Sequence, residues 1–216
     1  MNKEELQNLR QDYSAATLTE TSINVNPIKQ FDIWFNEAVK AEIPEPNAMT
    51  LATSTPDGRP SARIVLLKGF DMNGFAFYTN YLSRKGKELT KNPNAAMVFF
   101  WGELERQVRI EGNIEKLSKE QSDKYFQSRP RLSQIGALAS PQSQEIPHRE
   151  QLEAKMTQLE AEYGDDKEIP KPSYWGGYIL KPRFIEFWQG RQSRLHDRIA
   201  YKKIDNKSWK KVRLAP

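Results

Sequence analysis

Residues 48–80 read AMTLATSTPDGRPSARIVLLKGFDMNGFAFYTN, and their rhythm decides the fold class. AMTLATS (48–54), SARIVLLKGF (61–70) and FAFYTN (75–80) are strand-like runs of apolar, β-branched and aromatic residues. TPDGRP (55–60) and DMNG (71–74) between them carry turn chemistry. Three strands in sequence, joined by tight turns, predict an antiparallel sheet.

Working outward, the flanking segments extend that sheet and append helices. Upstream, Leu6, Leu9 and Tyr13 sit at helical spacing within residues 3–13. Asn26-Pro27 starts a second helix, with Ile28, Phe31, Phe35 and Ala38 on one face, and IPEPN (43–47) stops it. Downstream, Ser83 caps a short helix that ends near Asn92-Pro93. AAMVFFW (95–101) and ERQVRIEGNIEKL (105–117) are two further strands. Ser118 and Gln121 form a capping box for the next helix. Pro147 opens another helix, with Leu152, Met156, Leu159 and Tyr163 on one stripe, and Gly164 ends it. DDKEIPKP (165–172) is a loop. GGYILKPRFIEFWQG (176–190), LHDRIAYKKI (195–204) and WKKVRLAP (209–216) are strands, the last two joined across DNKS. The predicted fold is therefore mainly β with appended α-helices, an antiparallel sheet closing into a barrel, in a single domain over 1–216.

Composition removes several function classes. The 216 residues include no cysteine and two histidines, His148 and His196. Disulfides, thiol nucleophiles, iron–sulfur clusters and Cys- or His-rich metal sites are excluded; a carboxylate-only site is not, though no metal site is expected. The first residues, MNKEELQNLR, lack the apolar run of a signal peptide, and no segment reaches membrane-spanning length, so a cytoplasmic protein is expected. The net charge of +5 suits an anionic partner or a solvated basic surface. No G-x-G-x-x-G, Walker phosphate loop, G-x-S-x-G or H-E-x-x-H pattern occurs.

What remains is arginine, lysine, hydroxyl and amide groups near strand ends, the set that recognises phosphate. Ser83-Arg84-Lys85-Gly86-Lys87 puts cations in a first helical turn, where the macrodipole opposes them. A bound phosphate reverses that penalty; otherwise the side chains extend into water. Arg63 and Lys68 bracket IVLL. Five residues apart on a regular strand they face opposite ways, so either the chain bends or they reach different ends of a ligand, unless both are strand-edge charges. Tyr125 and Arg129 share a helix face, and Pro130 ends that helix. This leaves Arg129, Arg131 and Ser133 in a turn, free to meet a ligand or to cap a helix end. Arg194, His196 and Arg198 alternate, which on an extended strand places all three on one face around an anion or ring. Trp188 is either core or a flat wall beside a ring. His148 belongs to the surface.

Taken together, RIVLLK (63–68), FYTN (77–80), SRKG (83–86), ERQVRIEG (105–112), YFQSRPRLSQIGA (125–137), SYWGGY (173–178), IEFWQG (185–190), RLHDR (194–198) and the terminal RLAP resemble the pyridoxine/pyridoxamine 5'-phosphate oxidase family over nearly the whole chain. The resemblance implies a homodimer of split β-barrels of antiparallel Greek-key type, with flavin mononucleotide (FMN) where the subunits meet. It implies that Arg63, Ile64, Val65, Leu66, Leu67 and Lys68, with Tyr78, Thr79, Arg84 and Lys85, form one flavin wall. Gln107, Gln142, Ser143, Trp188 and Arg198 form the other. Lys68, Tyr125, Arg129 and Ser133 hold the substrate phosphate, and Arg194 and His196 are the catalytic groups over the pyridine ring. Arg10 and Tyr13 belong to a mobile lid over residues 1–25. The implied reaction oxidises pyridoxine or pyridoxamine 5'-phosphate to pyridoxal 5'-phosphate with O2 as acceptor, without nucleic acid or membrane. Two alternatives stay open: another split-barrel flavin reductase or oxidase, and a non-enzymatic binder of vitamin B6 phosphates or nucleic acid.

Overall fold

The computed structural model describes Tyr13, residues 16–205 and residues 208–216. The expected helix over 3–13 and the lid residue Arg10 lie outside the described residues, apart from Tyr13 itself. Five helices are present among the described residues: α1 (Pro27–Lys40), α2 (Arg84–Lys91), α3 (Lys119–Gln127), α4 (Arg131–Ala139) and α5 (Arg149–Tyr163). The strands are β1 (Ala48–Ser54), β2 (Pro60–Leu66), β3 (Gly69–Asp71), β4 (Gly74–Asn80), β5 (Asn94–Trp101), β6 (Arg106–Lys116), β7 (Trp175–Gln189), β8 (Asp197–Lys203) and β9 (Trp209–Leu214). They form one sheet in the order β2-β1-β5-β6-β7-β4-β3, with β8 beside β7 and β9 beside β8. The chain is thus mainly β with appended helices.

β7 pairs antiparallel with β4 over Trp175–Leu180 and with β8 over Phe184–Gln189. Pro182, which has no N–H to give to a ladder, lies between the two stretches. The chain packs as two compact units: residues 1–50, 96–111 and 182–216, and residues 51–95 and 112–181.

In the first unit, α1 starts where the Asn26 side chain accepts from the N–H groups of Ile28 and Lys29 and Pro27 occupies the first turn. Its inner face buries Phe31 and Trp34. Phe31 meets Phe99 edge-on at 5.0 Å, and Trp34 meets Phe187 at 5.2 Å. Burying each such ring contributes roughly 2–3 kcal/mol. Within the expected lid, residues 18–24 are anchored rather than loose. Leu18 is buried, its N–H donates to Asp197 at 3.0 Å, and Glu20 pairs with Arg213 at 2.7 Å.

In the second unit, SARIVLLKGF does not form the single strand that was expected. It splits into β2 and β3 at Leu67-Lys68. The two-residue alternation fails there: Val65, Leu66 and Leu67 are all turned at least partly inward. β2 ends at Leu66 and β3 resumes only at Gly69. The chain therefore bends, Leu67 enters the core, and the Lys68 N–H bonds to the Ala76 carbonyl at 2.8 Å. At the DMNG turn, Gly74 has φ 144°, and a Cβ there would lie 2.1 Å from the Leu180 carbonyl oxygen, so only glycine fits. The capping box at Ser118 and Gln121 is present. α4 was not anticipated. It begins directly after Pro130 and buries Ile135 and Ala139 against Phe126, Leu159, Ile169 and Trp175. The Leu152, Met156, Leu159 and Tyr163 stripe of α5 is its inner face.

Candidate functional site

The second unit holds a pocket of about 710 Å³. One wall is a stack of rings. Tyr78 and Tyr125 lie parallel at 3.8 Å, and Trp175 continues the stack 5.6 Å from Tyr78. Ile64, Val65 and Leu66 supply another wall. The polar groups are Lys68, Thr79, Lys85, Arg129, Ser133 and Gln142. Eleven residues expected at a ligand site thus converge on one cavity.

Lys85 explains the cations at the start of α2. Ser83 caps the helix by accepting from the Gly86 N–H at 3.2 Å, which aims Lys85 inward, where it is only 8% exposed. Its Nζ donates to the Thr79 hydroxyl at 3.2 Å, and that hydroxyl donates on to Gln142 at 3.1 Å. Among the described residues no carboxylate pairs with Lys85. Burial lowers its pKa, and Arg63 lowers it further. A buried ammonium without a counter-ion is costly, and an anion from outside removes the cost.

Arg129 follows the end of α3 and lies over the Trp175 ring, 4.7 Å from its centroid. Its Nη1 is buried without a hydrogen-bond partner. Burial lowers its pKa, with Tyr125 opposing. The pocket therefore contains a second cation without an anion.

Arg63, Leu67, Arg84 and Ser143 do not line this pocket. Arg63 turns away to donate to Thr53 at 2.6 Å and to the Leu51 carbonyl at 3.1 Å. It also approaches Glu88 at 3.5 Å. Arg84 pairs with the other oxygen of Glu88 at 2.9 Å. Burial pushes the Glu88 pKa up, but the Thr53 hydroxyl, Arg84 and Arg63 outweigh it and hold the group below the ordinary carboxylate value. The bend at Leu67-Lys68 removes the parity that set Arg63 against Lys68; each serves a different neighbourhood. Ser143 has φ 70° in an exposed turn.

Arg131 corrects another expectation. It is not free for a ligand: its guanidinium donates to the carbonyls of Tyr163, Gly164 and Lys167 at 2.7–3.0 Å, satisfying the end of α5. Ser133 sits in the first turn of α4, not in an open turn.

The first unit holds the remaining expected residues. Tyr13, Trp188 and His196 cluster, with centroids 5.7 Å (Tyr13–Trp188), 5.8 Å (Tyr13–His196) and 4.6 Å (Trp188–His196) apart. Trp188 is half-buried. Gln107 lies in β6, also half-buried. Arg194, His196 and Arg198 do not share a strand face. Residues 192–194 form a 3-10 turn in which Ser193 and Arg194 have φ 54° and 60°, and β8 begins only at Asp197. A left-handed backbone breaks the alternation on which the common face depended. The turn instead lets the Arg191 N–H donate to His196 Nδ1 at 3.1 Å. Arg198 donates from Nε to Glu186 at 2.7 Å, which holds it more firmly in its charged form. His148 is an exposed helix cap.

Sequence reading missed Glu88, Glu186 and Trp175. The signal for Glu186 was available: an acid inside the apolar strand FIEFW needs a cationic partner if it is buried. Among the described residues no group of three His, Asp or Glu side chains could hold a metal, and no helix is long and apolar enough to cross a membrane.

A curled antiparallel sheet of this topology with appended helices is the fold of the FMN-binding split barrels. Residues 35–163 match the family model described as pyridoxamine 5'-phosphate oxidase. Residues 175–216 match that of the pyridoxine 5'-phosphate oxidase C-terminal dimerisation region. A pyridoxine/pyridoxamine 5'-phosphate oxidase of Salinibacter ruber is 57% identical over 98% of this chain and 99% of its own. One from Trichormus variabilis is 56% identical over 96% and 97%. The crystal structure of PhzG from Burkholderia lata, in complex with tetrahydrophenazine-1-carboxylic acid, superposes with a TM-score of 0.87 at 35% identity, covering 94% of this chain and all of that one. The chain belongs to the pyridoxine/pyridoxamine 5'-phosphate oxidase family, whose members are FMN-dependent oxidoreductases.

Proposed function

We propose that this protein oxidises pyridoxine 5'-phosphate and pyridoxamine 5'-phosphate to pyridoxal 5'-phosphate, with FMN as its cofactor and O2 as the final acceptor. The alcohol and O2 give aldehyde and H2O2; the amine, O2 and water give aldehyde, ammonium and H2O2. The carrying observation is that one pocket holds two buried cationic groups without counter-ions, the Lys85 ammonium and Arg129 Nη1, besides the exposed Lys68. Two phosphates, one on the cofactor and one on the substrate, answer both.

The residues fit that pair of ligands. Lys85, Thr79 and Tyr78, with Arg63 and Arg84 behind them, hold the cofactor on one side. Gln142 joins that side through Thr79, and Gln107, Ser143, Trp188 and Arg198 form the opposing wall of a site shared between two subunits. FMN, when bound, supplies the redox chemistry at the substrate C4' carbon. The chain's own groups bind and orient. Arg129, Lys68, Ser133 and Tyr125 grip the substrate phosphate through charge-assisted hydrogen bonds. Arg194 and His196 place donors over the pyridine ring, and Tyr13 covers it from the Trp188 side. A neutral polycyclic substrate is disfavoured, because it would leave Arg129 Nη1 buried and unpaired.

The test is a flavin spectrum and cofactor mass on purified protein, followed by pyridoxal 5'-phosphate formation by Arg129→Met. FMN should be present. The variant should keep its flavin but lose substrate affinity by about tenfold or more, the cost of one charged hydrogen bond. FAD, no flavin, or undiminished substrate affinity in the variant would each refute the reading.

A further inference from the structure

Glu186 has no part in the chemistry above, yet it is one of the most buried charges in the protein. It lies in β7 between Ile185 and Phe187, each 0% exposed, and is itself 2% exposed. A carboxylate in such surroundings is strongly destabilising unless both oxygens are paired. Both are: Oε1 accepts from Arg198 Nε at 2.7 Å, and Oε2 accepts from Arg109 Nη2 at 2.8 Å.

The pairing fixes more than charge. Arg198 Nη1 donates to the Ala215 carbonyl at 2.8 Å. The strand that leads to it is anchored two residues earlier, where Arg213 pairs with Glu20 and, at 2.8 Å, with Asp197. With Nε and Nη1 occupied, the planar guanidinium cannot rotate, and Nη2 is left without an acceptor among the described residues. Arg109 shares the carboxylate, lies over the Phe184 ring at 5.2 Å and is itself paired with Glu111 at 3.4 Å, so its charge is met and only Arg198 keeps a donor to spare. A guanidinium clamped on two nitrogens with the third open is arranged to present one donor to a ligand.

We infer that Glu186 is a positioning residue of the cofactor site, clamping Arg198 together with the Ala215 carbonyl so that Arg198 Nη2 is presented to FMN. This rests on the reading that Arg198 faces the flavin. It gives the RLAP motif a role: Arg213 locks the segment whose carbonyl forms the second jaw.

A double-mutant cycle tests it. Apo forms of wild type, Glu186→Gln, Arg198→Ala, the double variant and Arg109→Met are titrated with FMN by fluorescence quenching, and their apo melting temperatures are recorded. Glutamine keeps the shape but offers one acceptor to two arginines. Glu186→Gln and Arg198→Ala should each weaken FMN about tenfold, the loss of one oriented charged hydrogen bond. The double variant should be no weaker than Arg198→Ala alone, and Arg109→Met should bind within about twofold of wild type. A merely structural Glu186 would lower the melting temperature without this coupling. Wild-type affinity in Glu186→Gln, or losses that multiply in the double variant, would overturn the inference. Unchanged affinity in Arg198→Ala would sink the flavin-wall assignment and the inference with it. If Glu186→Gln fails to fold, Glu186→Asp, which keeps the charge but withdraws it by one methylene, is put through the same cycle and judged by the same outcomes.

Discussion

Replacing Lys85 with methionine should separate stability from cofactor binding. The side chain is 8% exposed and has a single hydrogen bond, to Thr79 at 3.2 Å. In the apo protein it opposes the α2 dipole and faces Arg63 without a counter-ion. An apolar side chain of similar length removes these costs, and Thr79 keeps Gln142 as a partner. The apo melting temperature should therefore hold or rise. FMN binding should weaken, because one charge-assisted contact to the phosphate is gone, at roughly 1.5–3 kcal/mol or about 10- to 150-fold in Kd. With FMN at about a thousand times the wild-type Kd, ligand binding stabilises the native state by about 4 kcal/mol; at a hundredfold weaker affinity the same FMN contributes only about 1.4 kcal/mol. For a chain of this size that difference is roughly 5–10 °C in Tm. Differential scanning fluorimetry with and without FMN, beside a direct titration, reads both quantities. Wild-type FMN affinity in Lys85→Met would refute the phosphate assignment. An apo form melting well below wild type would show that the lysine is a structural counter-ion.

Two further outcomes follow from the first unit. His196 accepts from the Arg191 N–H at Nδ1, so its proton resides on Nε2 and the ring presents a donor. With only one other histidine in the chain, long-range nitrogen–proton NMR on histidine-labelled protein should show a pyridine-type Nδ1 for the residue that Phe or Gln at 196 removes, and a protonated Nδ1 would contradict it. Arg213 holds Glu20 down to about 2 from 4.5. For Asp197, burial raises the pKa, but the Leu18 N–H, Arg213 and Arg191 prevail and lower it. Both folded pKa values lie below the unfolded ones, so their stabilisation is complete above the ordinary carboxylate range and fades as pH falls through it toward 2. Arg213→Gln should melt lower at pH 6 and lose less on acidification than wild type; parallel Tm–pH curves would refute the pairing.

The features legible in the sequence were those with local causes. Asn26-Pro27, Ser83 and the Ser118–Gln121 box announced their helices because a cap is satisfied within three or four residues. The turn at DMNG was readable for the same reason. The bend at Leu67-Lys68 was not, because it follows from Leu67 entering a core built by distant segments. α4 was hidden behind Pro130, where the end of α3 masked a new beginning. RLHDR looked like a strand because alternation does not reveal positive φ at Ser193 and Arg194. Of the site, the cations were visible as residues, but their partners were not. Glu88 and Glu186 are 25 and 12 residues from the arginines they meet at Arg63 and Arg198, so the apolar run around Glu186 could announce the need for a cation but not which arginine meets it.

The first unit is assembled from three separate stretches of chain, and its order of synthesis follows from that. The Leu18 N–H meets Asp197 across 179 residues, and Glu20 meets Arg213 across 193. During translation neither contact can form until almost the whole chain has left the ribosome. The second unit, drawn from residues 51–95 and 112–181, can begin to pack earlier. Phe31 can meet Phe99 once β5 is made, but the Trp34 side of α1 must wait for Phe187 of β7 to emerge. A ribosome stalled before β7 therefore carries an apolar helix face only partly covered, the form of this protein most in need of a chaperone.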